Sequence, residues 1–291
     1  MDGDTKLVDS ETISQLNKVT EVTTDDTSDY GYIESKVQPD TLFTFVSKLE
    51  YLIEHITTKN IPPRYCIEDI SYLNIPKIKK LAYPMKCFCN INLQKLPLHM
   101  DTYGYYGLAF EKSWGVENGL QPVHYINPTS KLCVDIREAF SNSLDSDKTY
   151  VEENSLEEIL KNYLLHELMY YKPYAAHTSD NSPSEEKKGR CFTDECEWRY
   201  IPIVDTNDLD QVIYDKDLLR PPVLNNLNNL LKNKHDIALS FDYDNLKYII
   251  VKFRSDRDTL IKKIEGLNLE TNEMYNLISK IMVWESFNGD F

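Results

Sequence analysis

The 291-residue sequence lacks the features of a membrane protein and of a general nucleic-acid binder. It has no run of about 18 or more apolar residues, so it predicts no membrane-spanning helix. Basic residues are in the minority, with 32 lysines and arginines against 47 acidic residues and a formal net charge of −15. A surface with that charge repels phosphate backbones and anionic membranes. A local basic patch could still hold the end of an RNA or DNA strand.

The sequence also has few cysteines and no recognisable leader. Six cysteines are sparse for a disulfide scaffold, and the first 38 residues are acidic and rich in Ser and Thr, unlike a secretory leader. We therefore expect a cytoplasmic protein with reduced thiols. A zinc site would need Cys87 and Cys89 with His99, or with Cys191 and Cys196, but these spacings are not the paired C-x2-C pattern. Because cysteine is commonly buried, core thiols are favoured and no metal is predicted.

Most of the common catalytic motifs are absent. The sequence contains no G-x-G-x-x-G or Walker loop for phosphates, no G-x-S-x-G for a serine nucleophile and no H-E-x-x-H for zinc. A cysteine nucleophile remains open, because Cys87 or Cys89 could meet His99 or His124 in the fold. Nothing in the spacing fixes that geometry.

The hydrophobic pattern predicts an α+β fold, because strand and helix segments occur without regular alternation. Residues 1–38 are polar and predict a tail or docking arm, and residues 39–291 predict one domain. The polar segment 177–190 has no apolar anchor and is a candidate lid. The predicted elements are a strand and then a helix between residue 40 and Pro62-Pro63, strands 85–91, 106–110 and 122–126 with a turn at 115–119, a helix 155–168 stopped by Pro173, strands 198–204, 237–241 and 246–253, and helices 257–267 and 273–284.

Two distant segments hold most of the unusual chemistry. Residues 83–127 contain two cysteines, two histidines, five tyrosines, a tryptophan and four of the nine glycines. Residues 191–204, CFTDECEWRYIPIV, contain the acidic pair Glu195 and Glu197 directly before a Trp-Arg-Tyr sequence. A hydrophobic core does not need that mixture, so the two segments predict one site built from distant parts of the chain.

These segments resemble the AbiGi family of bacterial abortive-infection proteins, which act in phage defence and are commonly labelled as the antitoxin half of a two-gene system. The strings that carry the resemblance occur in the family's order: PMKCFCNINL, then His99, YGYYGLAFEKSWG, PVHYIN and ECEWRYIP. The resemblance runs from about residue 42 to residue 202, which is more than half of the chain. It implies a role in phage defence and a toxin or antitoxin protein as the partner.

The AbiGi family is in turn similar to ADP-ribosyltransferases, whose small split sheet binds NAD and whose late strand begins with a catalytic glutamate. This similarity implies a single α+β domain with a split, mixed or antiparallel sheet flanked by helices, and NAD as a substrate. Glu197 would be the catalytic carboxylate, and Glu195 would align or deprotonate the acceptor. The implied NAD-binding residues are Thr44, Arg64, His99, Tyr103, Tyr105, Tyr106 and Arg199.

The similarity assigns separate roles to some of these residues. Tyr105 or Tyr106 would stack on the nicotinamide, Arg64 would anchor the pyrophosphate, and Arg199 would hold Glu197 or a phosphate. One departure lies in the first strand, where Phe-Thr-Phe around Thr44 replaces an aromatic-His-aromatic segment. Thr44 can donate one hydrogen bond but cannot supply an imidazole. The missing histidine either alters NAD binding or contradicts an enzymatic function.

Three functions remain after these observations. Cleavage of the nicotinamide–ribose bond develops oxocarbenium character, so a transferase would need a carboxylate beside the ribose. Its cleft would bring together Glu197, a tyrosine of 103–106 and either Thr44 or Arg64, and its acceptor could be a protein, RNA, DNA or a small molecule. A non-catalytic antitoxin would restrain a toxin partner through its acidic surface. A nucleic-acid-binding repressor would need a basic face, which the net charge disfavours.

Overall fold

The centre of the computed structural model is a mixed sheet of eight strands, which confirms the predicted α+β class. Residues 35–291 belong to one compact unit. Most of the predicted tail, residues 1–38, and of the candidate lid, residues 177–190, lies outside the described part of the chain. Within that part, no helix is long and apolar enough to cross a membrane. The structure describes residues 32–76, 78–144, 156–177, 189–204 and 209–288.

The described strands range from two to ten residues. They are β1 (Thr41–Val46), β2 (Asn60–Ile61), β3 (Arg64–Asp69), β4 (Lys80–Cys89), β5 (Tyr106–Glu111), β6 (Gln121–Pro122), β7 (His124–Ile126), β8 (Tyr171–Pro173), β9 (Ala175–His177), β10 (Gly189–Cys191), β11 (Glu197–Tyr200), β12 (Leu239–Ser240), β13 (Leu246–Val251) and β14 (Ile281–Val283).

The described α-helices surround this sheet. They are α1 (Leu49–Thr58), α2 (Leu96–Tyr103), α3 (Lys112–Glu117), α4 (Lys131–Leu144), α5 (Leu156–Leu168), α6 (Pro221–Lys232), α7 (Arg254–Glu265), α8 (Thr271–Ser279) and α9 (Trp284–Phe287).

The strand order of the large sheet is β14-β13-β5-β1-β4-β11-β6, and β3 pairs with the first half of β4. All of these pairs are antiparallel except β13 with β14, which is parallel. Strand β1 and strand β4 share one registered pair, Phe43 with Cys89, before they diverge. Strand β3 pairs with residues 80–85 of β4. The sheet is therefore open between β1 and β3.

Alternating side chains bury both faces of the sheet. In β1, Leu42 packs into one core cluster and Phe43 into another on the opposite face, as expected for the two-residue period of a strand. Helices α1, α3, α7 and α8 cover the face of Leu42, and α2 and α9 cover the face of Phe43. Around β3 and β4, helices α4 and α5 pack into one cluster and α6 into another. This arrangement leaves the opening between β1 and β3 as a passage through the sheet.

Four details of the predicted elements are wrong. The predicted turn at 115–119 is largely α3, because Gly115 lets this helix pack against the Leu42 side chain. Helix α1 ends at Thr58, four residues before the proline pair, where Lys59 adopts a left-handed backbone with φ 51°. Helix α5 ends at Leu168, so Pro173 lies in strand β8 and does not stop the helix. The last long helix also ends early, at Ser279, and the chain then adds β14 beside β13.

Candidate functional site

A cleft of about 600 Å³ lies at the opening between β1 and β3. Its walls come from β1, β3 and the second half of β4, together with α1, α2 and α6. Apolar side chains such as Phe43, Phe45 and Phe88 form much of the lining, and polar groups occur at both ends. A concave, mostly apolar cleft with a few converging polar groups is typical of a ligand site.

Two glutamates converge on one lysine at one end of this cleft. Lys172 of β8 donates from Nζ to Glu195 Oε2 at 2.8 Å and also to Glu197 Oε2. Glu197 begins β11, and Glu195 ends the short 3-10 turn before it. Between them Cys196 has a left-handed backbone with φ 42°, which changes the chain direction before the strand begins. All three charged side chains are at least nine-tenths buried.

Arg199 is the second cation that pairs with Glu197. It lies two residues after Glu197, so both side chains point to the same face of β11. Its Nε donates to Glu197 Oε1 at 2.7 Å, and its Nη2 donates to Glu68 Oε2 at 2.9 Å. Its Nη1 donates to the hydroxyl of Tyr83 at 2.6 Å and to the carbonyl of Met169 at 2.5 Å. Arg199 is completely buried, and its planar fork meets an acceptor on each side.

These cations fix the charge of Glu197. Burial alone would raise the pKa of its carboxyl, but the neighbouring Arg199 guanidinium and Lys172 ammonium outweigh burial and lower the pKa. Burial alone would lower the pKa of Lys172, but the neighbouring carboxylates of Glu197, Glu68 and Glu195 raise it. Glu197 is therefore ionised and Lys172 protonated at neutral pH. The main-chain N–H of Glu197 donates to the hydroxyl of Tyr125 at 2.8 Å and fixes the start of the strand.

An aromatic wall stands beside Glu195. The Tyr103 hydroxyl donates to Glu195 Oε1 at 3.3 Å and accepts from Arg190 Nη2 at 3.2 Å, while Arg190 pairs with the same oxygen at 2.6 Å. The His99 ring lies 4.4 Å from the Tyr103 ring and 5.5 Å from the Phe45 ring, measured between centroids. Burial, with the nearby Arg190 and Lys172 charges, lowers the pKa of His99 to about 4. The imidazole is therefore neutral at physiological pH.

The cleft brings together six of the nine residues that the resemblance implied. Thr44, Arg64, His99, Tyr103, Glu195 and Glu197 all line it, and Arg199 lies directly behind Glu197. The Thr44 hydroxyl already donates to the carbonyl of Cys87 at 2.9 Å. Only its lone pairs remain for a ligand, so it would accept a hydrogen bond and not donate one.

The other two implied residues do not line the cleft. Helix α2 ends at Tyr103, and Gly104 with φ 108° redirects the chain. Tyr105 consequently bonds to Asp101 through its hydroxyl, and the Lys252 ammonium lies 4.3 Å from its ring centroid. Tyr106 enters β5 and donates to Asp256 at 3.1 Å. The aromatic rings near the carboxylates are thus those of Tyr103, His99 and Phe45.

Several charged residues in and beside the cleft carried no signal in the sequence. Lys172 follows two tyrosines in a short strand, and nothing in that segment distinguishes it from an ordinary surface lysine. Arg190 ends the candidate lid segment, and its polar neighbours in the sequence do not distinguish it either. The alternation of β11 could have placed Glu197 and Arg199 on one face, but the partner strand was not predictable. Lys86, which also lines the cleft, lies in β4 between the buried Met85 and the half-buried Cys87.

The cysteines in and near the cleft have the properties of core thiols. Burial raises the pKa of both Cys87 and Cys89 well above the usual range. Neither is the thiolate that a cysteine nucleophile requires. Among residues that the structure describes, no group of three or more His, Cys, Asp and Glu side chains is arranged to hold a metal ion. The groups that the site presents to a ligand include the two carboxylates, their cationic partners and the aromatic rings of Tyr103, His99 and Phe45.

The fold and the cleft define an α+β protein with a buried pair of glutamates at the end of a ligand-sized opening in its sheet. A family model described as "Putative abortive phage resistance protein AbiGi, antitoxin" matches residues 59–252. The abortive phage resistance protein AbiGi of Lactococcus lactis subsp. cremoris is 31% identical over 253 residues, covering 79% of this chain and 98% of that protein. The chain belongs to the AbiGi family of abortive phage resistance proteins. No solved structure matches the chain significantly.

Proposed function

We propose that this AbiGi protein is an NAD-dependent ADP-ribosyltransferase that acts on a macromolecular acceptor in phage defence. The observation that carries the proposal is the meeting of Glu195, Glu197, Tyr103, Thr44 and Arg64 at one cleft, from four separate segments of the chain. If Glu197 and Arg199 formed only an ordinary ion pair on a strand surface, the sheet would not need an opening beside them. The cleft volume of about 600 Å³ falls within the range of cofactor-sized sites.

The charge state of Glu197 suits the proposed reaction. As the bond between nicotinamide and ribose breaks, its electron pair leaves with the nicotinamide nitrogen and positive charge develops on the ribose. An ionised carboxylate held by Arg199 and Lys172 stabilises that charge without reorganising. Its oxygens keep lone pairs for a ribose hydroxyl, because a carboxylate accepts about four hydrogen bonds.

Glu195 serves the acceptor in this scheme. A nucleophilic atom of the acceptor forms a bond to the ribose carbon and loses its proton to Glu195, which passes it to water. Tyr103 and Arg190 fix the orientation of Glu195 through one of its oxygens. The rings of Tyr103, His99 and Phe45 form an apolar surface on which the nicotinamide can rest, and they limit access of water.

The test is label transfer from NAD that carries its label on the adenylate phosphate. Purified protein is incubated with lysates of phage-infected and uninfected cells, and the labelled acceptor is separated into protein and nucleic acid. We expect the wild type to transfer label and Glu197→Gln to lose it by about 100-fold or more, as for the loss of one transition-state charge. Glu117→Gln is the matched control, because Glu117 is exposed on α3 outside the cleft.

Folding of the Glu197→Gln protein is checked by circular dichroism, since glutamine keeps the shape of the side chain but not its charge. If the wild type neither binds NAD nor transfers label in any lysate, the transferase proposal is wrong. Equal activity of the Glu197→Gln and Glu117→Gln proteins would also contradict it.

A second candidate function is that of an antitoxin that binds a toxin partner. The description of the matching family as an antitoxin favours it. The net charge of −15 suits a basic partner, because complementary charge speeds association and sets specificity. Co-purification with the product of the neighbouring gene tests this function. Retention of that partner by Glu197→Gln, together with no NAD consumption by the wild type, would support the antitoxin function over the transferase.

A further inference from the structure

The cleft continues past the glutamates to the opposite side of the sheet. In the pairing of β4 with β11, Cys87 and Cys89 lie opposite Arg199 and Glu197 and share their face. Lys86 is offset by one residue from Cys87, so its side chain points to the other face. It lines the cleft there between α1 and α6. The opening thus has an acidic end and, across the sheet, an end that contains Lys86.

The charges at the two ends are balanced differently. At the acidic end, each of the cations Lys172, Arg190 and Arg199 is paired with a glutamate. At the other end, Lys232 of α6 pairs with Glu54 of α1 at 2.6 Å. Arg64 and Lys86 also line the cleft, and within the described ranges neither has an ion-pair or hydrogen-bond partner. Positive charge is therefore left over at the Lys86 end of a protein whose net charge is strongly negative.

The pKa values of His55 and of Lys86 itself agree with this excess of positive charge. Burial, followed by the positive charges of Lys86 and Lys232, lowers the pKa of His55 to about 3. Burial also lowers the pKa of Lys86 to about 8, with Arg64 adding to this effect. His55 is accordingly neutral and does not add to the charge. A half-buried ammonium without a counter-charge is costly, and a bound anion would offset that cost.

The side-chain amide of Asn228 is a further hydrogen-bond donor in the cleft. Asn228 of α6 accepts the main-chain N–H of Tyr65 through Oδ1 at 2.7 Å. That bond orients its side chain, and its NH2 group has no acceptor among the residues described. Asn228 and its neighbour Asn229 both line the cleft beside Lys232. Two cations and an oriented amide suit a group with several negatively charged oxygens better than a single carboxylate.

We propose that Arg64, Lys86 and Asn228 form an anion subsite that binds a phosphate group of a ligand lying through the opening of the sheet. Lys86 and Asn228 lie on the far side of the sheet from Glu195 and Glu197, and Arg64 borders the opening at the start of β3. A ligand that fills the whole cleft would therefore be elongated, with a phosphate at one end and a reactive group at the other. Binding at this subsite does not require cleavage of NAD. It therefore stands or fails separately from the proposed transferase activity.

Inorganic pyrophosphate is the probe that tests the subsite, with binding measured by titration calorimetry at low salt. We expect Lys86→Gln to weaken the affinity of the wild type by about tenfold or more, as for loss of one charge-assisted contact. Lys80→Gln is the matched control, because Lys80 is an exposed lysine at the other end of the same strand. Should Lys86→Gln fail to fold, Arg64→Gln provides the second variant, since the Arg64 side chain is exposed.

Competition with pyrophosphate identifies the source of the phosphate. Displacement by NAD but not by nicotinamide riboside supports the subsite and assigns it to the dinucleotide. Displacement by a 5′-phosphorylated but not a 5′-hydroxyl oligonucleotide supports it and assigns it to the acceptor. No binding of pyrophosphate by the wild type, or equal binding by the wild type and Lys86→Gln, would overturn the proposal. A wild type that binds pyrophosphate but transfers no label would contradict the transferase activity alone.

Discussion

Arg199 donates from Nε to Glu197 Oε1 at 2.7 Å across two positions of a single strand. The cation that keeps this carboxylate ionised therefore belongs to the same rigid element as the carboxylate. Arg199 also fixes Tyr83, Glu68 and the carbonyl of Met169, so its guanidinium joins three other segments to the strand. The position of Glu197 in the cleft consequently depends on Arg199 more than on any exposed ion pair.

Removal of Arg199 should destabilise the fold strongly. Arg199→Met leaves Glu197 without one of its two cations and leaves Glu68 without its ion-pair partner. We expect the free energy of unfolding to fall by about 3–5 kcal/mol, as for breaking a buried pair. Arg257→Met, which removes a surface arginine of α7 that pairs with the adjacent Asp258, should change it by less than about 0.5 kcal/mol. Urea unfolding measures both, and equal losses would show that the cluster is not what holds this part of the sheet.

Substitution of Gly104 should be more costly than substitution of Gly119. Gly104 has φ 108°, and a Cβ there would lie 2.5 Å from the carbonyl oxygen of Val46. Gly104→Ala combines backbone strain of about 1–3 kcal/mol with that clash. Gly119 has φ 72° but open space around it, so Gly119→Ala should cost only the left-handed strain of about 1–2 kcal/mol. Thermal unfolding compares the two, and a larger loss for Gly119→Ala would contradict the tight contact between Gly104 and β1.

Acid should destabilise the protein partly through His55. Burial, helped by Lys86 and Lys232, lowers its pKa from the usual 6.5 to about 3, so the folded protein holds it neutral while the unfolded chain binds a proton. This contribution to stability is present above pH 6.5 and is lost as the pH falls toward 3. Between pH 6 and pH 5, the free energy of unfolding of the wild type should fall by about 1 kcal/mol more than that of His55→Gln. His235→Gln, at an exposed histidine, is the control in urea unfolding, and the same pH dependence in all three proteins would refute this assignment.

The two tyrosines on either side of Gly104 should differ in their effect on label transfer. The Tyr103 hydroxyl contacts Glu195, whereas the Tyr105 hydroxyl bonds to Asp101 away from the cleft. If the proposed transferase activity is present, Tyr103→Phe should lower kcat/KM by about tenfold, as for one hydrogen bond to a charged group. Tyr105→Phe should leave it unchanged. The reverse order would place the nicotinamide on the Tyr105 side of the sheet.

The sequence predicted best where a local pattern decides the structure. The strand and helix after Asp40 follow from the apolar pattern that includes Leu42, Phe45 and Leu52, and both were confirmed. Strand β14 was missed because Ile281 to Val283 continue the apolar period of the preceding helix. Its pairing with Ile249 to Val251 depends on tertiary contact, which no local pattern records. Strand β11 is likewise buried because it pairs with β4, and its short sequence alone does not record that pairing.

The same limit applies to the candidate site. Glu195, Glu197 and Tyr103 could be named from their motifs, because they occur in strings that resemble a family. Lys172 could not, because its role comes from β8 pairing with β7 and bringing its ammonium to two glutamates more than twenty residues away. The sequence likewise could not separate Tyr103 from Tyr105, since the backbone of the intervening glycine decides which ring faces the cleft.

The contacts of Arg199 also constrain the order of folding. Its partners Glu68 and Tyr83 lie 131 and 116 residues before it in the chain, and Met169 lies 30 residues before it. Contacts of such sequence separation form only after long loops have closed, and they are characteristic of slow steps. We expect the glutamate cluster to assemble late, after β3 and β4 have paired and β11 has joined them. A chain still emerging from the ribosome would then lack the site until most of its sheet has been made.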